Sequence, residues 1–371
     1  MKLSKKLLAI VMAIVMLMGC VAVSASAAIG QDRYSVLVLD TSGSMSGSPI
    51  QEVREAAKAF CEQVLSSYRG TNYIAIVRFN SGSSVVSEFT NDKDALVAAI
   101  DTLGANGGTD LAGGINTAKR LLEGVDESHI KNILVMCDGA PNSTSAAYSA
   151  VKSIPLHWNI YGLYFYQSGY SASAAEVMKR VGRQGYYEVE DGDKIMVVFT
   201  ENWGSEVTKN NVNKVIIYIA CPVDVSVTLN GETLNKYNTQ TTFGKLTFEG
   251  ENNEKKVLEL AYRDDYKIEV DGTGEGTMDY SVKYLCNSEE LFNVTYPTVD
   301  ITSDTKITSG VDVDNAAITL DVDNDGDGDV DEKISANAST TNFFYRVKTF
   351  FTELYYKFIE IINKIFAGFI K

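Results

Sequence analysis

The sequence predicts an α/β fold with a doubly wound, mostly parallel sheet, followed by a small all-β sandwich, an acidic calcium-loop segment and a C-terminal amphipathic helix. Three observations predict this order. Strand and helix patterns alternate from residue 34 to about residue 205, which is typical of a parallel sheet covered on both faces. Strand patterns then follow one another without helices to about residue 300. An Asp-rich stretch and an aromatic-rich amphipathic stretch come last.

Residues 1–27 have the pattern of a secretory signal peptide. Three lysines precede an apolar run over residues 7–18, and the small residues 25–27 provide a cleavage site. The run is too short to span a bilayer, so we expect an exported protein, either secreted or attached to a bacterial cell surface. The residues before Cys20 also resemble a lipoprotein cleavage site, and lipidation of Cys20 stays open as an alternative.

Residues 32–207 are predicted to form the α/β domain. The stretch YSVLVLD (34–40) is almost uniformly apolar, as expected of a strand covered on both faces. A helix with apolar residues at helical spacing follows over residues 48–65. The other predicted strands are 72–79, 84–90, 132–138, 159–167 and 185–191, and the other predicted helices are 92–103, 110–124, 145–154, 171–182 and 193–203.

Residues 212–300 are predicted to form the β-sandwich. In the stretch VDVSVTL (223–229), apolar and polar residues alternate, as they do in a strand with one buried face. Glycine-containing turns separate the strands. Cys221 and Cys286 flank strands of this domain, and a disulfide between them stays open. The predicted strands are 214–220, 223–229, 245–249, 256–262, 266–270 and 278–285.

The charge and the histidine content exclude two functional classes. The formal net charge is −15, so the field of the protein disfavours binding to nucleic acid. His129 and His157 are the only histidines, and neither has an orienting carboxylate at a recognisable spacing. We therefore expect no enzyme. The leading hypothesis is a binding protein, and the alternatives are a metal-dependent structural or assembly subunit of the cell envelope and a metal-assisted hydrolase.

Oxygen-bearing side chains come directly after the predicted strands of the α/β domain. Asp40, Ser42 and Ser44 occupy alternate positions after the first strand, Thr109 precedes a helix, and Asp138 ends the strand 132–138. Ligands of open α/β sheets bind at the carboxyl ends of the strands. Oxygen-only ligands suit hard cations such as Mg²⁺ or Ca²⁺. The sequence therefore predicts a metal site at this edge.

The motifs DTSGSM, GGTD and CDGAPN, in this order, resemble the von Willebrand factor type A (VWA) domain. This family carries a metal-ion-dependent adhesion site that binds Mg²⁺ or Mn²⁺. The resemblance implies that Ser42, Ser44 and Thr109 are hydroxyl ligands and that Asp40 and Asp138 hold the ion mainly through ordered waters. It also implies that a protein ligand presenting an Asp or Glu carboxylate completes the coordination. We therefore expect a cell-surface or secreted adhesion protein.

The stretch DVDNDGDGDVDE (321–332) has the spacing of a 12-residue calcium loop within a segment, residues 301–342, that otherwise has the composition of a polar linker. It resembles the calcium loops of thrombospondin-type or dockerin-type repeats more than an EF-hand. Its carboxylates repel one another unless a cation neutralises them, and a solvated acidic linker is the alternative. The predicted Ca²⁺ ligands are Asp321, Asp323, Asp325, Asp327, Asp329 and Glu332.

Residues 343–371 are predicted to form an amphipathic helix with a large aromatic and aliphatic face. The stretch carries too many charges to span a bilayer. Basic amphipathic helices lie on membrane surfaces, so contact with the membrane or envelope is one prediction. Docking on another protein surface is the other.

Overall fold

The computed structural model describes residues 32–67, 70–167, 169–203, 212–220, 222–312, 318–337 and 340–341. The predicted signal peptide, Cys20, Cys221 and the predicted helix 343–371 lie outside the described residues. The disulfide between Cys221 and Cys286 therefore stays a prediction. Within the described ranges, no helix is both long enough and apolar enough to cross a membrane.

The first domain contains a six-stranded sheet. Its strands are β1 (Arg33–Asp40), β2 (Asn72–Phe79), β3 (Ser83–Thr90), β4 (Ile130–Cys137), β5 (Asn159–Phe165) and β6 (Gly185–Val189). The strand order is β3-β2-β1-β4-β5-β6, and every pair is parallel except that β3 is antiparallel to β2. The predicted mostly parallel α/β sheet is confirmed.

Helices cover both faces of this sheet, and two separate clusters of buried residues lie between the sheet and the helices. Side-chain caps begin several helices because a short polar side chain accepts a hydrogen bond from the first turn. Asp92, Ser143 and Ser171 do so at three of them. The helices are α1 (Ser48–Leu65), α2 (Lys93–Asp101), α3 (Leu111–Glu123), α4 (Thr144–Lys152), α5 (Ala172–Val181) and α6 (Gly192–Val197), with a 3₁₀ turn at Gly43–Met45 and a π-helical turn at Val198–Trp203.

The second domain is built from two antiparallel sheets that share one core, which confirms the predicted all-β architecture. Its strands are β7 (Lys214–Ala220), β8 (Val223–Leu229), β9 (Glu232–Leu234), β10 (Gly244–Glu249), β11 (Lys255–Ala261), β12 (Lys267–Gly272), β13 (Gly276–Cys286), β14 (Glu289–Thr295), β15 (Val299–Ile301), β16 (Lys306–Ser309), β17 (Leu320–Asp323), β18 (Glu332–Ile334) and β19 (Thr340–Thr341). One sheet has the order β10-β11-β7-β13-β14-β19, with β15 paired to β13, and the other has the order β18-β17-β16-β12-β8-β9.

The segment 301–342 differs from the predicted linker, because three of its stretches are strands of the second sheet. Ile307 on β16 pairs with Val322 on β17, and both side chains are buried in the core of the sandwich. Asp321 alternates with buried Leu320 and Val322, as expected of a strand with one covered face. The many aspartates hide this short alternation in the sequence. The sandwich therefore continues through Ile334 instead of ending near residue 300.

The two domains contact each other at the amino ends of the parallel strands. Asn287, in the turn between β13 and β14, donates hydrogen bonds to the carbonyl oxygens of Glu127 (2.9 Å) and His129 (3.1 Å), just before β4. Arg263 donates to the carbonyl oxygen of Arg183 (3.2 Å), just before β6. The carboxyl ends of β1 and β4 therefore point away from the sandwich.

Candidate metal centre

The two aspartates of the predicted metal site lie side by side at the carboxyl edge of the first sheet. Asp40 is the last residue of β1, and Asp138 directly follows β4. These strands are neighbours and parallel, so their ends meet at one edge. Asp40 is completely buried, and its Oδ1 accepts a hydrogen bond of 2.7 Å from the backbone N–H of Ser42.

The two serines link the aspartates through their hydroxyl groups. The Oγ atoms of Ser42 and Ser44 are 3.0 Å apart, and Ser44 Oγ donates to Asp138 Oδ1 at 2.9 Å. Ser44 is exposed and Ser42 is buried, so the hydroxyls lead from the bottom of the site to its surface. The structure thus brings together Asp40, Ser42, Ser44 and Asp138.

Thr109 is joined to this group through its backbone. Its N–H donates to Asn142 Oδ1 (3.1 Å), and its carbonyl oxygen accepts from the Asn142 N–H (2.9 Å), on the loop after Asp138. On the other side, the Gly43 N–H donates to the carbonyl oxygen of Gly107 at 3.0 Å. Gly107 has a φ of 77°, which favours glycine. The segment that carries Thr109 is therefore tied to both aspartate loops.

Both aspartates of the site hold protons more tightly than ordinary aspartates do. Burial, and then the repulsion from Asp138, raise the pKa of Asp40 to about 6. Burial also raises the pKa of Asp138. Because two close carboxylates cannot both ionise cheaply in a buried site, a divalent cation would neutralise the excess negative charge. The donor set, which consists of carboxylates and hydroxyls, fits a hard cation.

Cys137 ends the apolar strand β4, and its position in the sequence carries no signal for a polar role. In the structure its Sγ donates a hydrogen bond to Asp40 Oδ2 at 3.1 Å, and the side chain is completely buried. Burial raises the pKa of this thiol well above its usual value, so it stays protonated and remains a donor. Cys137 therefore orients the carboxylate of Asp40 from below the site.

The acidic stretch 321–332 forms the turn between β17 and β18. Carboxylate oxygens of Asp323, Asp325 and Asp327 lie within 4.8 Å of one another. Asp323 is largely buried and accepts hydrogen bonds from the N–H groups of Gly326 (2.6 Å) and Gly328 (3.0 Å). The structure therefore gathers three of the predicted calcium ligands.

The predicted first and twelfth ligands of this loop lie in the paired strands. Asp321, on β17, is opposite Lys333 on β18 and makes an ion pair with its Nζ at 2.9 Å. Glu332 also lies on β18, opposite Val322. Asp329 is exposed in the turn, and its N–H donates to Asp327 Oδ1 at 2.8 Å. The clustered carboxylates thus begin at Asp323, two residues after the first ligand that the sequence suggested, and both ends of the motif lie in paired strands.

One stretch of the chain matches a known domain family. Residues 35–140 match the sequence model of the von Willebrand factor type A domain family. Over these residues the α/β domain is of the VWA type. The predicted metal-site residues Asp40, Ser42, Ser44, Thr109 and Asp138 all fall within the matched residues.

The curated relatives match about a third of this chain. Calcium-activated chloride channel regulator 1 of Equus caballus is 31% identical over 130 residues, which are 33% of this chain and 14% of that protein. The protein of the same name from Sus scrofa is 32% identical over 130 residues, with the same two shares. The chain therefore spans about one seventh of the length of these curated relatives.

A solved structure resembles more of the chain than the VWA domain alone. The von Willebrand factor type A protein from Catenulispora acidiphila is 15% identical, and the alignment covers 73% of this chain and 66% of that one with a TM-score of 0.55. At 15% identity, this similarity shows a shared fold and nothing more. This chain spans about two thirds of that structure.

Proposed function

We propose that this chain is an exported binding or adhesion protein that captures an acidic group of a protein partner through a Mg²⁺ or Mn²⁺ ion held by its VWA domain. The observation that carries the proposal is the hydrogen-bonded convergence of Asp40, Ser42, Ser44 and Asp138 at one edge of the sheet. The bound ion would supply an electrophilic position for a carboxylate from outside the chain.

Each residue of the site has a separate task in this proposal. The hydroxyls of Ser42, Ser44 and Thr109 are neutral ligands, so they leave most of the positive charge of the ion available to the partner. Asp40 is oriented by the Ser42 N–H and by the Cys137 thiol, which stabilise it as an ordered acceptor. Asp138 receives the Ser44 hydroxyl and lies nearer the surface.

The arrangement of the domains supports capture of a large partner. The sandwich contacts the VWA domain at the amino ends of the strands, through Asn287 and Arg263. Residue Asp32, where the described chain enters the domain, lies at the same end, because its carbonyl oxygen accepts from the N–H of Ile130 at the start of β4. The proposed metal site is at the opposite end, where a partner can approach without meeting the sandwich.

Calorimetric titration with Mg²⁺ tests this proposal. We expect a single site in the wild type and no binding in Asp138→Ala. The matched control is Asp110→Asn, which keeps the oxygen that accepts from the Gly113 N–H at the start of α3 and should bind Mg²⁺ as the wild type does. Equal Mg²⁺ binding by the wild type and Asp138→Ala would contradict the metal site.

A capture experiment tests the second half of the proposal. The full chain is immobilised and exposed to proteins extracted from the surface of its own cells, in Mg²⁺ or in EDTA. We expect a partner that is retained only in Mg²⁺ and is lost in Asp138→Ala. Capture that is equal in both buffers would mean that binding does not use the ion. A partner that co-purifies in a fixed ratio would favour the alternative, an assembly subunit of the envelope.

The acidic turn supports a second metal proposal, with a structural role. Asp323, Asp325 and Asp327 gather their carboxylates in the turn that joins β17 and β18. Ca²⁺ prefers such flexible, oxygen-rich turns. A Ca²⁺ ion there would cancel the repulsion between the carboxylates and hold the last strands against the sandwich. Membrane or envelope contact through residues 343–371 is a further proposal, which sedimentation of the full and the truncated chain with anionic liposomes tests.

A further inference from the structure

A cluster of tyrosines lies beside the proposed metal site, at the carboxyl ends of β5 and β6. Tyr164 on β5 is the register partner of Cys137 on β4. Its ring stacks on Tyr166 with 5.4 Å between the centroids. Tyr170 packs edge-on against both rings, at 5.9 Å from Tyr164 and 5.3 Å from Tyr166. Tyr170 is 55% exposed, so the cluster presents one aromatic ring to solvent.

A carboxylate stands next to this ring. Glu188 on β6 is the register partner of Tyr164 and is exposed. Its Oε1 accepts hydrogen bonds from the hydroxyl of Tyr186 (2.7 Å) and from that of Tyr170 (3.4 Å). Among the described residues, the ion pairs of this region include Glu190 and Lys194 but not Glu188. The described structure thus leaves a negative charge beside an exposed aromatic face, without a cation bound to it.

Two other tyrosines of the domain already accept cations from the chain itself. Lys179 Nζ lies 5.8 Å from the ring centroid of Tyr186. The guanidinium of Arg180 lies 5.0 Å from the ring centroid of Tyr148. Tyrosine faces attract ammonium and guanidinium groups through the ring quadrupole. Tyr170 is the exposed member of the cluster and offers a face to a cation from another molecule.

We propose that Tyr170 and Glu188 form a subsite that binds a basic side chain, Arg or Lys, of the same partner segment whose carboxylate binds the metal. This inference rests on the proposed function, because it adds a second contact to the same partner. The basic side chain lies over the Tyr170 ring, and its positive end pairs with Glu188. The partner is therefore a segment with both an acidic and a basic residue.

The sheet sets the spacing between these two contacts. Asp138 follows β4 and Glu188 lies on β6, two strands away. Neighbouring strands are about 4.8 Å apart, so the backbone positions of these two residues are separated by roughly 10 Å along the rim. An extended peptide advances by about 3.3 Å per residue. The basic residue is therefore expected about three positions from the acidic one.

A set of peptides separates the two contacts. The probe is a fluorescein-labelled, glycine-rich hexapeptide with one Asp and, three positions later, one Arg. Its three companions replace Asp by Asn, Arg by the neutral isostere citrulline, or both. Binding to the full chain is measured by fluorescence anisotropy in Mg²⁺ and in EDTA. The protein variants are Glu188→Gln and Tyr170→Ala, and their controls are Glu190→Gln and Tyr237→Ala, which change an exposed acid and an exposed tyrosine elsewhere.

We expect the Asp/Arg peptide to bind in Mg²⁺, and the citrulline peptide to bind about two- to fivefold more weakly. This difference should disappear in Glu188→Gln and shrink in Tyr170→Ala, and it should persist in both controls. Equal affinity of the Arg and citrulline peptides for the wild type would overturn the inference, and so would the absence of binding by the Asp/Arg peptide.

A different result would contradict the proposed metal site. If the Arg effect persists while EDTA and the Asp-to-Asn replacement change nothing, then the basic subsite exists and the metal-mediated contact is wrong. Mg²⁺ calorimetry on Glu188→Gln should match the wild type in every case, because Glu188 lies two strands from Asp138.

Discussion

Cys137 Sγ lies 3.1 Å from Asp40 Oδ2 and donates a hydrogen bond to it from a completely buried position. The other oxygen of the same carboxylate accepts from the Ser42 N–H at 2.7 Å. Asp40 is therefore held at both oxygens by its own chain. Groups that orient a ligand in this way tune metal affinity although they do not contact the ion.

The first prediction concerns this hydrogen bond. Cys137→Ala removes the donor and should weaken Mg²⁺ binding about tenfold, because Asp40 loses its orientation. Cys137→Ser keeps a donor of similar size and should bind within about twofold of the wild type. Calorimetric titration of the two variants measures the difference. Equal affinity in all three proteins would mean that Cys137 only fills space.

The second prediction concerns the pH dependence of stability without metal. The pKa of Asp40 is about 6 in the folded chain, against 3.8 for an ordinary aspartate, so the folded state holds a proton that the unfolded state releases between these values. The free energy of unfolding in EDTA should therefore fall as the pH rises from about 4 to about 6, by about 2 kcal/mol. Denaturant unfolding at pH 4.5 and pH 7 measures it.

Asp40→Asn is the control for this pH effect, because it removes the titrating group. Its unfolding free energy in EDTA should depend much less on pH over the same range. Saturating Mg²⁺ should stabilise the wild type at pH 7 and leave Asp40→Asn unchanged, since a ligand stabilises only the state that binds it. A wild type whose stability in EDTA rises from pH 4.5 to pH 7 would contradict the prediction.

The third prediction distinguishes a Ca²⁺ site that begins at Asp323 from one that begins at Asp321. Asp325 belongs to the gathered carboxylates, whereas Asp321 pairs with Lys333. Asp325→Asn should weaken Ca²⁺ binding about tenfold or more, and Asp321→Asn should change it little. Calorimetric titration with Ca²⁺ up to about 1 mM compares them. A larger loss of Ca²⁺ affinity in Asp321→Asn than in Asp325→Asn would instead indicate a site that begins at Asp321.

The fourth prediction concerns the contact between the domains. Asn287 has a φ of 54° and donates to the carbonyl oxygens of Glu127 and His129 from a buried position. Asn287→Ala removes the donor of both hydrogen bonds and strains the backbone, so it should destabilise the chain by about 2–4 kcal/mol. Asn287→Gly relieves the backbone strain but does not restore the lost hydrogen bonds. Its free energy of unfolding should therefore lie between those of the wild type and Asn287→Ala. Mg²⁺ affinity should not change, because the metal site lies at the opposite end of the domain.

Much of the fold could be predicted from local patterns. The apolar run that ends at Asp40 and the helical spacing after Ser48 are local signals, and both elements form where the sequence indicates. The strands of residues 301–342 were missed because they are four residues or fewer, and because the aspartates around β17 hide its short alternation of buried and exposed side chains. Their stability comes from pairing with distant strands and from a shared core, which no local window contains.

The sequence by itself determined which oxygen-bearing side chains meet at one edge of the first sheet, because Asp40, Ser42 and Ser44 are spaced within one turn and Asp138 follows the neighbouring strand in a parallel order. Only the tertiary structure decided which other groups act together. Strand register put Cys137 beneath Asp40 and Glu188 beside the tyrosines, and strand pairing drew Asp321 out of the acidic turn to Lys333. The physical reason is that these contacts join residues far apart in the chain, and their geometry is set by how strands pair and pack.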